Sequence, residues 1–203
     1  MIVLSPGVPP DIQPLKKAKE MGIKIIGELE LAYQIIQGLG VRGQGLAKET
    51  TPIPNPQSPI PFLAVTGTNG KSTTTTLLNE MLNKGGFRTI LGGNIGNALT
   101  EEIFGLVRSQ KTDDDFLITL NSQLSTLNYV VAEVSSFQLE AIEMFRPDGA
   151  SILNITPDHM DRYHSMKKYK DAKAQIFANQ KEGDFLVLNA DDIETMRLYD
   201  SRF

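Results

Sequence analysis

The sequence predicts an α/β protein built on mostly parallel sheet, and three observations carry that expectation. Short apolar runs of strand character alternate with amphipathic runs at helical spacing along most of the chain. One of those runs, Phe62 to Thr73, passes through a glycine-bracketed turn straight into a helix. A Gly- and Pro-rich stretch separates a small leading part from a larger trailing part.

The leading part begins with Ile2-Val3-Leu4, a strand-like run that enters the turn Ser5-Pro6-Gly7. Asp11 to Met21 places Ile12, Leu15, Ala18 and Met21 at helical spacing, with Gly22 as the C-terminal stop. Ile23 to Ile26 reads as a second strand, and Glu28 to Gln37 as a second helix that ends at Gly38. Strands of this type are normally covered on both faces, which two strand and helix pairs cannot achieve. Residues 1–37 are therefore expected to be the C-terminal part of a domain whose earlier part is absent. Between Gly38 and Pro61, four glycines fall within eight residues, and five of the 11 prolines follow from Thr50 onward. Residues 38–61 are expected to be an extended, helix-free linker and the domain boundary.

In the trailing part, strands are expected at Phe62 to Val65, Arg88 to Leu91, Tyr129 to Glu133, Ala150 to Asn154 and Phe185 to Leu188. The intervening helices are expected at Lys71 to Asn83, Asn97 to Val107, Ser136 to Phe145 and Met166 to Asn179. Right-handed crossovers make these one parallel sheet. Thr73 to Thr76 are β-branched and unfavourable early in a helix, so Leu77, Leu78, Met81 and Leu82 are expected to compensate as its apolar face. Residues 109–128, with Asp113-Asp114-Asp115 and scattered Ser, Thr and Asn, break the rhythm and read as a surface insertion. After Asn189-Ala190-Asp191-Asp192 the chain reads as a polar tail that leaves the domain 62–203 cut at its far end.

Composition narrows the function. The 203 residues carry 20 Lys and Arg against 24 Asp and Glu, a net charge of −4, which argues against nucleic-acid or anionic-membrane binding. The absence of Cys removes disulfides, thiolate zinc sites and Cys nucleophiles, and it fits a reducing compartment. No apolar run approaches the roughly 18 to 20 residues of a membrane span, and no signal sequence opens the chain. A cytoplasmic protein is expected.

Four segments carry chemistry. In Thr66-Gly67-Thr68-Asn69-Gly70-Lys71-Ser72-Thr73, glycines let backbone N–H groups close on phosphate at a helix N-terminus. Lys71 can reach the β and γ oxygens, and the Ser72 hydroxyl can ligate Mg²⁺. The loop is a shortened Walker-type variant, because Val65 stands where the full motif has its first glycine. Glu133 ends an otherwise apolar strand, and parallel sheets place ligands at the carboxyl ends of strands; it can hold a metal or simply emerge into solvent. Ser135 or Ser136 after it reads as a helix N-cap. His159, one of two histidines, follows a further apolar strand, where an imidazole can serve a metal or phosphate or can be structural; His164 reads as a loop residue. Lys173 falls in the apolar stripe of Met166, Tyr169, Ala172, Ile176 and Phe177. Its amine can snorkel to water, or it can stay neutral and take up CO₂ as a carbamate suited to bridging metals.

Taken together these segments resemble the Mur ligases. The phosphate loop Thr66 to Ser72 is similar to that of all members and of folylpolyglutamate synthases. Ser5-Pro6-Gly7, Gly93-Asn94-Ile95-Gly96, Glu133-Val134-Ser135-Ser136-Phe137-Gln138-Leu139 and Asn154 to Tyr163 resemble the branch that adds D-glutamate. The resemblance covers nearly all of the chain except 38–59 and 109–128. It implies a Rossmann-like, UDP-sugar-binding remnant in residues 1–37 and a P-loop-type central ATP-binding domain in 62–203, with a C-terminal ligase domain absent. It implies that Gly67, Thr68, Asn69, Gly70, Lys71, Ser72 and Thr73 hold ATP, with Lys71 stabilising the transferred phosphate. Ser72 and Glu133 would ligate one of two Mg²⁺ ions, and His159 with carbamylated Lys173 the other. Ser5, Pro6, Gly7, Asn94, Ser135, Gln138 and His159 would meet UDP-N-acetylmuramoyl-L-alanine, which the enzyme, a monomer when complete, joins to D-glutamate. Another Mur-type ligase, a folylpolyglutamate synthase and a non-catalytic nucleotide-binding fragment are the alternatives. A P-loop phosphotransferase or GTPase-like switch would want the full Walker loop and, for a switch, a guanine-reading motif, and the sequence has neither.

Overall fold

The computed structural model describes residues 1–9, 11–38, 59–106, 119–120 and 122–200. Linker residues 39–58 and residues 109–118 and 121 of the expected insertion lie outside the described residues. The leading part forms β1 (Ile2–Leu4), α1 (Gln13–Glu20), β2 (Ile25–Gly27) and α2 (Glu28–Ile36). β1 and β2 pair in parallel as a two-stranded sheet.

After the linker come β3 (Phe62–Thr66), α3 (Lys71–Lys84), β4 (Thr89–Gly93), α4 (Leu99–Gly105) and β5 (Tyr129–Glu133). Then follow α5 (Ser136–Leu139), β6 (Gly149–Ile152), α6 (Met160–Tyr163), α7 (Met166–Ala174), β7 (Phe185–Leu188) and α8 (Ile193–Asp200). A single 3₁₀ turn, Gln175–Phe177, extends α7. The five later strands form one parallel sheet in the order β4-β5-β3-β6-β7, so β3 is central and its carboxyl end opens between β5 and β6. Strand order reverses there, at the place where an open α/β sheet binds ligands. Among the described residues no helix is long and apolar enough to cross a membrane.

The core joins both parts of the chain. α2 contributes Leu29, Ala32, Tyr33 and Ile36, which pack with Phe62, Leu99, Ile103 and Phe145. Tyr33, Phe62 and Phe145 meet edge to face, with ring centroids 5.2 to 5.9 Å apart. Each such buried side chain contributes about 1.5 to 3 kcal/mol. Two carboxylates lock α2 in place: Glu28 accepts from the Thr100 N–H and hydroxyl at the start of α4, and the fully buried Glu30 accepts the backbone N–H groups of Glu143, Met144 and Phe145.

The structure corrects several expectations. The helix expected over Ser136 to Phe145 stops at Leu139, because the N–H groups of 143 to 145 turn to Glu30 instead of to helical carbonyls. The apolar face expected to anchor α3 is not buried: Leu77 is 58% and Met81 63% exposed, and the buried residue of this helix is Thr75. The expected surface insertion contributes Leu120, Leu124 and Leu127 to the core. The expected polar tail is instead a helix, α8, with Thr195 and Leu198 buried and Asp192 accepting the Thr195 N–H.

Candidate active site

The phosphate loop is held from outside as well as by its glycines. Gly67 (φ 157°) sits where an added Cβ would meet Leu153 at 3.1 Å, and Gly70 (φ 81°) turns the chain into α3 in the left-handed region. Asn154, just past β6, works as a strut: its carbonyl accepts the Thr68 N–H at 2.9 Å and its side-chain oxygen the Asn69 N–H at 2.8 Å, while its amide donates to the Asn69 carbonyl at 3.0 Å. Thr68 and Thr156 add a second tie, since the Thr156 N–H donates to the Thr68 hydroxyl at 3.0 Å. Lys71 folds back so that its ammonium donates to the Thr68 carbonyl at 3.0 Å, and Ser72 and Thr73 are exposed on the first turn of α3.

Glu133 closes β5, paired on one side with Val65 and on the other with Gly93. The residue is 1% exposed. One carboxylate oxygen accepts the Asn94 amide at 2.9 Å, and the other is buried without a partner. An orphaned buried carboxylate oxygen is costly, and a bound cation would satisfy it. No group of three or more His, Cys, Asp and Glu gathers among the described residues, so an ion here would complete its shell with hydroxyl, water and phosphate oxygens.

Lys173 is where the loop and α7 meet. The residue is 2% exposed, and its amine donates to the Gly67 carbonyl at 2.8 Å and lies 4.7 Å from the centre of the Tyr169 ring. Burial, with the neighbouring Lys71 charge adding to it and Asp158 opposing, pulls its pKa down to about 7. It does not snorkel. Tyr169 also shares a hydrogen bond with the Thr68 hydroxyl at 3.3 Å, and burial raises the Tyr169 pKa. His159 has left-handed backbone (φ 52°) and a half-exposed ring 4.8 Å from Phe137 and 6.3 Å from Tyr169. Its Nε2 lies 3.5 Å from Asp158. His164 is likewise left-handed and ends α6.

A cleft lies between the leading part of the chain and the segment after β5, with Phe137 in its wall against the His159 ring. Ser5, Pro6 and Gly7 line it from one side, and Phe137, Gln138 and Arg162 from the other. Ser135 is the N-cap of α5 in a reciprocal capping box: its hydroxyl accepts the Gln138 N–H, and the Gln138 carbonyl oxygen accepts the Ser135 N–H. That leaves the Gln138 amide nitrogen buried without a partner, a donor available to a ligand.

The structure thus gathers Lys71, His159 and Lys173 around Thr68 and Tyr169, and Ser5 to Gly7 around Gln138. Asn94 meets Glu133, and no ligating contact joins Glu133 to His159 or Lys173. Asn154, Tyr169 and Arg162 were given no individual role by the sequence. The strand-end rule that singled out Glu133 applies equally to Asn154, whereas Tyr169 looked like an ordinary member of an apolar stripe.

Residues 65–201 match the Mur ligase middle domain. The chain is 44% identical over 192 residues, 95% of its length, to UDP-N-acetylmuramoylalanine--D-glutamate ligase of Citrifermentans bemidjiense, and 42% identical over the same span to that of Koribacter versatilis. It spans about a third of the length of these curated relatives. Among solved structures, it superposes over 98% of its length on UDP-N-acetylmuramoyl-L-alanyl-D-glutamate--2,6-diaminopimelate ligase with a TM-score of 0.52 at 21% identity, covering 42% of that chain. MurF ligase of Thermotoga maritima in complex with ADP gives the same TM-score at 16% identity, with 45% of its chain covered. These two show the shared fold.

Proposed function

The chain belongs to the Mur ligase family through its middle domain, and on that premise we propose that it carries the ATP-phosphate site, and one wall of the nucleotide-sugar site, of a ligase joining D-glutamate to UDP-N-acetylmuramoyl-L-alanine. The observation that carries the reading is the glycine-bracketed loop at the carboxyl end of the central strand with the buried Lys173 amine donating to its Gly67 carbonyl, and the half-orphaned Glu133 carboxylate at the end of the neighbouring strand supports it. The choice of D-glutamate is supported by the names of the relatives that match 95% of the chain. Cell-wall precursor synthesis in the cytoplasm is the corresponding setting.

A free carboxylate is a poor acyl donor. In the proposed reaction it attacks the γ-phosphorus of ATP, ADP leaves, and the resulting acyl phosphate is attacked by the D-glutamate amine; the tetrahedral adduct then expels phosphate and loses a proton to give the amide. The chain's own contribution is positioning and charge stabilisation. Gly67 to Thr73 would hold the phosphates through the loop and first-turn N–H groups that Asn154 leaves free, since those of Thr68 and Asn69 are tied to Asn154, and Lys71 would exchange the Thr68 carbonyl for the γ-phosphate oxygens. Ser72 and Glu133 would hold one Mg²⁺, and His159 with the carbamate of Lys173 a second. Bound there, the ions would supply positive charge to offset that of the phosphates. Lys173 suits its part because burial keeps a large share of its amine neutral at physiological pH, and only the neutral amine adds to CO₂. Gln138 offers its unpaired amide, and the Ser5–Gly7 turn its backbone, to the nucleotide-sugar.

Ligand-observed NMR on the 203-residue chain separates this reading from its alternatives. It predicts weak binding of UDP-N-acetylmuramoyl-L-alanine and of MgATP, none of a reduced pterin, and no amide product when D-glutamate is added. Binding of a pterin with no response to the nucleotide-sugar would overturn it. D-Glutamate-dependent amide formation by this chain alone would show that it is more than one wall of the site.

A further inference from the structure

The sugar-side cleft is made of the Ser5–Gly7 turn, Gly27 and Glu28 where β2 meets α2, and the region from α5 to α6; the Gly27 N–H ties β2 to the Ala141 carbonyl at 3.1 Å, and one side chain bridges the turn to the α5–α6 region. Arg162 donates from Nη1 to the Gly7 carbonyl at 3.1 Å and from Nη2 to the Glu140 carboxylate at 2.5 Å, while its guanidinium carbon stands 4.4 Å from the centre of the Phe137 ring. From these contacts we infer that Arg162 is a positioning residue that seats the Ser5-Pro6-Gly7 turn on the start of α5 and so fixes the cleft for the nucleotide-sugar. The ligand named in that statement rests on the reading above.

Three features make the side chain specific for this task. Its own place is fixed, because α6 is a four-residue helix set between two left-handed residues, and the Arg162 N–H donates to the His159 carbonyl at 3.1 Å. The guanidinium is fixed as well, bonded to the Glu140 carboxylate and lying over the Phe137 ring, both belonging to the segment that carries Gln138. The Arg162 and Glu140 side chains are only 22% and 26% exposed, so the contacts are partly shielded from water, and a charge-assisted bond there outweighs a surface one. The turn needs such a hold: among the described residues, this is its one hydrogen bond to the chain beyond residue 59, and its internal Val8 N–H to Ser5 carbonyl contact is long, at 3.4 Å. Gly7 has φ 90°, so its carbonyl direction belongs to a backbone that other residues rarely adopt. A lysine would supply charge without the planar fork or the stacking face.

The test uses the ¹³C,¹⁵N-labelled 203-residue chain and its Arg162→Met and Arg162→Lys variants, with Glu140→Gln as a milder change that leaves the arginine in place. The Gly7 carbonyl-carbon shift reports the bond directly, without any ligand. UDP-N-acetylmuramoyl-L-alanine and MgATP are then titrated separately. The Gly7 signal is expected to move in both Arg162 variants, with Lys failing to restore it, and to move less in Glu140→Gln. Affinity for the nucleotide-sugar is expected to fall about tenfold while that for MgATP stays within about twofold. An unchanged Gly7 shift overturns the inference, and so does a shift change with nucleotide-sugar affinity unaltered. If the wild-type chain binds no nucleotide-sugar at millimolar concentration, the substrate reading fails together with the ligand part of the inference, and the Gly7 shift still decides whether Arg162 holds the turn.

Discussion

At the scale of single residues, Lys173 gives the most direct link between burial and pH. Its folded-state pKa of about 7 lies below the ordinary value for a lysine, near 10.4, because burial penalises the ammonium. Between those two values the unfolded chain binds more protons than the folded one, so this residue makes stability rise with pH from about 7 to about 10. Urea midpoints measured across that range should climb in the wild type and climb less in Lys173→Met; parallel slopes in the two proteins would show that the amine is not held as described. In ¹³C-bicarbonate, the wild-type chain should show a carbamate resonance that Lys173→Met lacks. Glu30 makes the opposite case of a charge satisfied by the fold. Its carboxylate accepts three consecutive backbone N–H groups and the Gln34 amide, so Glu30→Gln turns an acceptor into a donor facing donors and should cost about 3 kcal/mol in urea unfolding. Lys173 was legible in the sequence because a charge interrupted an apolar stripe. Glu30 was not, since a Glu and a Gln four apart on a helix look like an ordinary solvent-facing pair until the 143–145 backbone is in place.

Elements were legible where hydrophobic period and burial agree, and misread where they part. β5 and β7 fall at their expected bounds, and α3 begins at Lys71 as the phosphate loop requires. In α3, however, helical spacing does not mean burial, since Leu77 and Met81 border an open apolar groove with Leu63, Phe185 and Val187. Leu77→Lys should therefore change unfolding stability by no more than about 0.5 kcal/mol, far less than the same change at a core leucine. A loss of several kcal/mol would mean that this face is covered in solution. The reverse error concerns Leu120, Leu124 and Leu127, whose spacing of four and three is helical and whose burial was hidden by the polar residues around them. At the edge of the site, Gly93 (φ 107°) pairs with Glu133, and an added Cβ would run into the Glu133 carbonyl. Gly93→Ala should accordingly loosen the β4–β5 register and raise amide exchange at Asn94, whose N–H donates to the Glu133 carbonyl, with little change in β6 and β7.

At the scale of the molecule, the leading part and the central sheet are joined through the core by α2, at β2 by the Gly27 N–H to the Ala141 carbonyl and the Lys24–Glu143 ion pair, and through the cleft by Arg162. The sequence marked the change of composition at 38–61 as a boundary, and α2, which precedes it, nevertheless packs into the core of the larger sheet. That packing comes from Leu29, Ala32, Tyr33 and Ile36 meeting residues more than twenty positions away, which local periodicity cannot reveal. The glycine-bracketed turn into α3 was legible because it depends on neighbours in sequence, whereas the strut at Asn154 and the meeting with Lys173 depend on strand order. The central claim is that this loop, tied to β6 and α7, is the nucleotide-phosphate site. An amide NMR titration of the 203-residue chain with MgATP tests it most directly. Shifts should concentrate at 67–73, at Glu133 and along Asn154 to Lys173, and Lys71→Met should weaken binding at least about tenfold with the fold intact. Equal affinity in Lys71→Met, or shifts confined to residues away from the loop, would contradict the account.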